Sequence, residues 1–232
     1  MYKKLLVVIP ARAKSKSIKN KNIIKINKIA LIEYTFKHSK QIREKSKIIH
    51  CSTDSIKIHK IAKSYKIKTV PLRPKNISGD LSRDLDFINH TLNVYSKQNI
   101  YFKYGLILRP TNPIRKAKNL NKSYAKFKND KFSDSMKSIF PSRKTPYKTW
   151  IKKGKFIEPV VILNQINESF NAPRQILPNT YDQTGTYEYF KINYKSKIKS
   201  ISGKKISYFD VSKEESLDID NLNDIKILNK NK

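Results

Sequence analysis

Short apolar runs recur from Leu5 to Phe140, each followed by a polar loop and then a segment with helical spacing, and this alternation constrains the fold more than any other feature. Leu5 to Ile9 is a continuous aliphatic run, the pattern of a strand buried on both faces. Lys47 to Cys51, Thr69 to Leu72, Tyr104 to Leu108 and Ser135 to Phe140 read as further strands. Between them, Leu31 to Ser39 pairs Leu31 with Tyr34 and Ile32 with Phe36 at helical spacing. Asp54 reads as the N-cap of a helix carrying Ile56, Ile58, Ile61 and Ala62. Asp84 to Tyr95 and Leu120 to Phe127 read as two more helices. Strands and helices alternating at this length predict an α/β fold, a doubly wound and mostly parallel sheet. Ligands of such sheets bind beyond the carboxyl ends of the strands. Arg12, Asp54, Arg73 and Arg109 all fall there, which predicts one shared site.

The pattern changes from Ser142 to Asn171, where Thr145-Pro146-Tyr147, Trp150 and the turn Lys152-Lys153-Gly154-Lys155 read as a hairpin or arm. With 232 residues, the expectation is a single domain over 1–232 with a candidate arm at 142–171. A net charge of +32 invites a nucleic-acid reading. The lysines are spread along the whole chain rather than clustered on one element, which argues against nucleic acid as the main partner. Cys51 is the only cysteine, which excludes an intrachain disulfide, and its apolar surroundings read as a buried strand. No apolar stretch reaches membrane-spanning length. The opening M-Y-K-K-L-L-V-V-I-P reads as a first strand, and the protein as cytoplasmic.

Two segments carry chemistry. After the first strand, the loop from Pro10 to Asn22 offers Arg12, Ser15, Lys16, Lys21 and Asn22, cations and polar groups suited to a polyphosphate. Near the other end, Glu215-Ser216-Leu217-Asp218-Ile219-Asp220 alternates apolar residues with carboxylates. On a strand, Asp218 and Asp220 point to one face, and paired carboxylates suit a hard divalent ion such as Mg²⁺. The four histidines show no metal-ligand spacing.

These residues carry a family likeness. Pro10-Ala11-Arg12, Ser15-Lys16 and Lys21-Asn22 match an opening P-A-R-x-x-S-K-x-x-x-x-K-N. Ser52-Thr53-Asp54, Arg73-Pro74 with Gly79-Asp80, and Leu108-x-Pro110-Thr111-x-Pro113-x-Arg115 follow in order. Arg174-Gln175-x-Leu177-Pro178 and Asp218-Ile219-Asp220 complete the series. The chain resembles the acylneuraminate cytidylyltransferases, the CMP-sialic acid synthetase family, over nearly its whole length. Two departures stand out. Ala13, Lys14, Ser17 and Asn20 occupy loop positions where the family usually has glycine, and Arg109 stands where the sialic acid enzymes usually have glutamine.

The resemblance implies a nucleotide-diphospho-sugar transferase (GT-A-like, Rossmann-type) fold with a small dimerisation arm. It implies transfer of CMP from CTP to the anomeric hydroxyl of a nonulosonic, nine-carbon sugar acid, with Mg²⁺, in a homodimer. Lys21, Arg12 and Asp220 would be catalytic. Arg12, Ser15, Lys16, Lys21, Asn22 and Arg73 would bind the nucleotide, with Asn22 reading the base edge. Arg109, Arg174, Gln175 and Tyr187 would bind the sugar, an arginine at 109 suiting a related acidic sugar. Asp218 and Asp220 would hold the metal, while Arg115 reads as structural. Two alternatives stay open: the same chemistry on another 2-keto-3-deoxy acid of legionaminic type, or a catalytically silent family member that binds nucleic acid or anionic glycan.

Overall fold

The computed structural model describes residues 1–15, 17–193 and 197–230. Its strands are β1 (Tyr2–Pro10), β2 (Lys25–Ile26), β3 (Ile29–Ala30), β4 (Lys47–Ser52), β5 (Tyr101–Ile107), β6 (Ser135–Pro141), β7 (Trp150–Lys153), β8 (Phe156–Pro159), β9 (Tyr181–Lys191) and β10 (Ile206–Asp210). The helices are α1 (Leu31–Lys40), α2 (Ile56–Ser64), α3 (Asp84–Ser96), α4 (Ala117–Asn129) and α5 (Leu222–Lys230). Six strands form one sheet in the order β10-β6-β9-β5-β1-β4. β1 pairs in parallel with β4 on one side and β5 on the other, and β5 pairs antiparallel with β9. The chain thus leaves β1 toward one edge and returns on its far side. This reversal of strand order opens a crevice beyond the carboxyl end of β1.

The burial pattern explains the sheet. Leu5 to Ile9 are fully buried, so β1 is covered on both faces. Leu6 and Val8 share a cluster with Phe87, Ile88, Leu92 and Tyr95 of α3. Leu5, Val7 and Ile9 point to the opposite layer because side chains alternate along a strand. On β5 and β9, Tyr104 and Tyr189 pack against Phe127 of α4. Gly105 is required by a close approach, since a Cβ there would overlap the Phe190 ring.

Three expectations change. Thr69 to Leu72 is not a strand: only Lys68 makes a single bridge, to His50. Pro71 has no N–H to donate to a ladder, and the Arg73 amide bonds instead to the Thr53 carbonyl. Asp54 does not cap α2; Ser55 does, accepting from the Ile58 amide, while Asp54 accepts from the Ala13 amide at 2.7 Å. The Asp218-Ile219-Asp220 segment carries no ladder partner and lies outside the strands. Its alternation persists all the same, with Ile219 fully buried between the two carboxylates.

Contacts divide the chain into a main unit, residues 1–138 and 184–232, and a second unit, residues 139–183. Within the second unit, β7 and β8 form an antiparallel hairpin turning at Gly154, whose φ of 59° suits glycine. The hairpin exposes Ile151, Phe156 and Ile157.

Two histidines of the main unit, the buried His50 and the half-buried His38, are expected to make it less stable in acid. Burial lowers His38 to about 4, helped by Arg115, and lowers His50 to about 3, helped by His90 and Arg73. Below about pH 6.5 the unfolded chain binds protons at both imidazoles while the folded one does not, so their contribution is present above pH 6.5 and lost as pH falls. Denaturant titrations at pH 7 and pH 5 are expected to differ by about 4 kcal/mol from these two groups. Replacing both histidines with glutamine should flatten that difference, and an unchanged slope in the double variant would contradict this assignment.

Candidate active site

A cleft of about 290 Å³ opens in the main unit at the carboxyl ends of β1 and β5. Its walls come from the loop after β1 (Arg12, Ser15, Lys21, Asn22), from Arg73, from Gly79, Asp80 and Asp84 before and at the start of α3, and from Arg109 to Thr111 after β5. The sequence expectation that residues after successive strands share one site is met at Arg12, Arg73 and Arg109. Lys16 lies outside the described residues.

Lys21 and Asp220, 199 positions apart, meet at this cleft. The Lys21 side chain is 9% exposed; its Nζ donates to the Ile219 carbonyl at 2.8 Å and reaches Asp220 Oδ1 at 3.3 Å. Asp220 is 74% exposed, so its carboxylate faces outward. The segment carrying it is docked by two contacts to the loop after β5: the Ile219 amide donates to the Thr111 carbonyl, and Asn112 Nδ2 donates to the Leu217 carbonyl. Ile219 joins Ile18, Ile26, Leu31 and Ile225 in a cluster beneath the cleft. Apolar anchoring of Ile219 is therefore what presents the flanking carboxylates.

Asp218 and Asp220 interact. Burial raises the Asp218 carboxyl above its ordinary range, a Thr111 hydrogen bond opposes, and the like charge of Asp220 adds to the rise. Two carboxylates that repel each other, one of them paired with the cleft residue Lys21, suit a divalent cation. No cluster of three or more His, Cys, Asp or Glu collects among the described residues. A cation held by Asp218 and Asp220 would therefore need phosphate oxygens and water to complete its shell.

The arginines divide by their surroundings. Arg12 Nη1 donates to the Gly79 carbonyl at 2.9 Å and lies 2.8 Å from Asp80. Asn22 Nδ2 donates to the Arg12 carbonyl, bracing the loop. Arg73 is buried, donates from Nε and Nη2 to Ser52, and stacks over Phe87 at 4.9 Å. Burial lowers its pKa, with Asp54 opposing.

Arg109 is the most heavily paired. Its Nε donates to Glu188 at 2.7 Å, and both Nη atoms contact Asp84. Burial by itself would lower the guanidinium, but Glu188 and Asp84 outweigh it and raise its pKa. Gly185 makes room for this side chain, since a Cβ there would strike Arg109 Cδ and the Asn112 side chain. Arg115 is structural, as expected, and its partners are neutral. Its guanidinium donates to the Thr186 and Arg109 carbonyls and to Thr35 Oγ1, and burial lowers it to about 10.

Tyr187 does not reach the cleft. It is fully buried in the core, and its hydroxyl donates to Glu215 Oε1 at 2.7 Å. A strand inside the sheet turns alternate residues inward, and Tyr187 falls on the inward side. Arg174 and Gln175 belong to the second unit. Arg174 lines a cavity there of about 340 Å³ with Ser142, Arg143, Thr145 and Thr180, and Gln175 is exposed on the same 3₁₀ turn. Sequence reasoning missed Asp84, Glu188 and Lys137. A lone glutamate in the aromatic run Tyr187 to Phe190 was the available signal, because a carboxylate in such a strand needs a cationic partner.

A profile of the cytidylyltransferase family matches residues 6–144, and the chain belongs to that family. Among its relatives, the N-acylneuraminate cytidylyltransferase of Escherichia coli O18:K1:H7 is 35% identical over 115 residues, half of this chain and 26% of that protein. The CMP-N,N'-diacetyllegionaminic acid synthase of Campylobacter jejuni serotype O:2 is 27% identical over 97% of this chain and 93% of its own length. The fold resembles that of a CMP:2-keto-3-deoxy-manno-octonic acid synthetase solved with CTP, at a TM-score of 0.67, 12% identity and 97% coverage of both chains.

Proposed function

We propose that this cytidylyltransferase transfers CMP from CTP to the anomeric hydroxyl of a nonulosonic sugar acid, releasing pyrophosphate, with Mg²⁺ held at Asp218 and Asp220. The observation that carries the reading is the meeting of Lys21 with Asp220 at the rim of a cationic cleft. The names of the full-length and half-length relatives support an acidic nine-carbon acceptor of sialic or legionaminic type.

The sugar hydroxyl oxygen forms a bond to the α-phosphorus and gives up its proton to solvent, while the bond to the bridging oxygen breaks and pyrophosphate departs. Such transfers depend on alignment and on neutralising charge. Arg12 and Ser15 hold phosphate oxygens. Lys21, fixed by the Ile219 carbonyl, meets the charge that builds at the α-phosphate without having to reorganise. Asn22 presents its amide to the base from a loop it also braces, and Arg73 lies against the triphosphate or ribose. Arg109, on the main unit, recognises the sugar carboxylate. The cation, when bound, supplies Lewis-acid stabilisation of phosphate oxygens. The exposed β7–β8 hairpin, with Ile151, Phe156 and Ile157 outward, suits a contact with a second copy.

The test is pyrophosphate release from CTP against a panel of nonulosonic acids, with UTP, ATP and chelator controls. Turnover is expected only with CTP, an acid acceptor and Mg²⁺ together. Equal rates with UTP, or full activity in chelator, would refute it. No turnover with any acid, together with tight RNA binding at moderate salt, would favour the binding alternative that the +32 charge suggests.

A further inference from the structure

The Arg109 network is graded in exposure. Glu188 is at its buried end, 2% exposed, with Oε1 on Arg109 Nε and Oε2 on Lys137 Nζ at 2.9 Å. That carboxylate is enclosed and matched by two cations. At the cleft end Asp84 is 36% exposed and spans the outer edge of the guanidinium, touching both Nη atoms. Both Asp84 and Arg109 line the cleft.

We infer that Asp84 is an internal stand-in for the acceptor's carboxylate: it occupies the substrate edge of Arg109, is displaced when an acidic sugar binds, and so determines the specificity of the acceptor site. The inference rests on the sugar-acid reading above. Four observations carry it. The Nε–Glu188 bond fixes the plane of the guanidinium, so the edge that faces the cleft stays aimed when Asp84 leaves. A fork of two N–H groups on a carboxylate is the geometry in which arginine binds a ligand carboxylate. The exposure difference makes Asp84 the exchangeable partner and Glu188 the permanent one. Finally, Asp84 is the first residue of α3, where free amides and the helix dipole continue to stabilise a carboxylate after displacement.

The consequence is a threshold. A sugar without a carboxylate cannot replace Asp84 and so leaves Arg109 paired. An acidic sugar competes with a tethered anion, and its apparent affinity falls by the fraction of Arg109 that is free. Removing the competing charge should therefore tighten the acceptor, whereas removing a substrate-contacting group would weaken it.

The experiment compares wild type with Asp84→Asn and Asp84→Ser, using N-acetylneuraminic acid and 2-keto-3-deoxy-manno-octonic acid. Steady-state pyrophosphate release gives KM for each acid and for CTP, and calorimetric titration of the acids gives Kd without turnover. In both variants KM and Kd for the acids are expected to fall by about fivefold, with KM for CTP moving less than twofold. Arg109→Ala, which removes the guanidinium outright, should weaken the acid and be insensitive to a further change at Asp84. Acids that bind wild type and tighten in the variants without turnover would sustain the stand-in while defeating the proposed reaction. Unchanged or weaker acid binding in both folded variants, or acids that bind neither wild type nor variant, would overturn it.

Discussion

Lys21→Ala is expected to cut pyrophosphate release from CTP by about 10²- to 10³-fold, the usual cost of removing one fixed charge aimed at a developing oxyanion. Lys21 is nearly buried, and its ammonium is oriented by the Ile219 carbonyl at 2.8 Å and by Asp220 at 3.3 Å. A cation held this way keeps its position as charge builds at the α-phosphate. The loss should fall mainly on kcat, because the interaction grows in the transition state. Lys21→Arg should recover little, since a planar fork cannot take the place of a compact ammonium between two fixed oxygens. The competing role is purely structural: Lys21 also ties the loop after β1 to the segment carrying Asp218 and Asp220. A variant that melts early yet turns over normally at low temperature would support that role and sink the catalytic one.

Arg115→Ala is expected to have the largest effect on stability, a loss of about 3–5 kcal/mol. The guanidinium is wholly enclosed, and its donors satisfy the Thr186 carbonyl of β9, the Arg109 carbonyl and the Thr35 hydroxyl of α1. Truncation leaves those acceptors buried without a donor and opens a cavity between the sheet and α1. For a chain of this size the melting temperature should drop by roughly 10 °C in a calorimetric scan. Arg115→Lys should recover only part of the loss, because one ammonium cannot span three divergent acceptors. A melting temperature within 2 °C of wild type, a margin of about 1 kcal/mol or less, would show that water replaces the guanidinium at no cost.

These two residues show where legibility began and ended. Lys21 was chosen from the motif, and the cleft contains it. Arg115 was assigned to structure, and its partners are the buried Thr186 and Arg109 carbonyls and the Thr35 hydroxyl. Asp54 was read as a cap because it stands just before α2, yet Ser55 takes that position and frees Asp54 to hold the Ala13 amide of the loop after β1. Tyr187 was placed in a pocket by its motif but lies in the core. At Asp54 the position was right and the partner was not, and at Tyr187 the expected place in the fold was itself wrong. Partner choice between adjacent candidates depends on a few tenths of a nanometre, which local patterns do not encode.

The run of strands and helices was set by the chain alone, because apolar periodicity records which faces are covered, and burial follows directly from it. The order of polar residues after those runs was enough to bring Arg12, Arg73 and Arg109 to one end of a parallel sheet. Which cation meets which carboxylate was decided only on folding. Arg109 is shared between Asp84 and Glu188, and Lys137 joins Glu188 as its second cation. Such pairings join residues on separate elements, so they exist only once packing has fixed the distances and removed the water that would otherwise screen them.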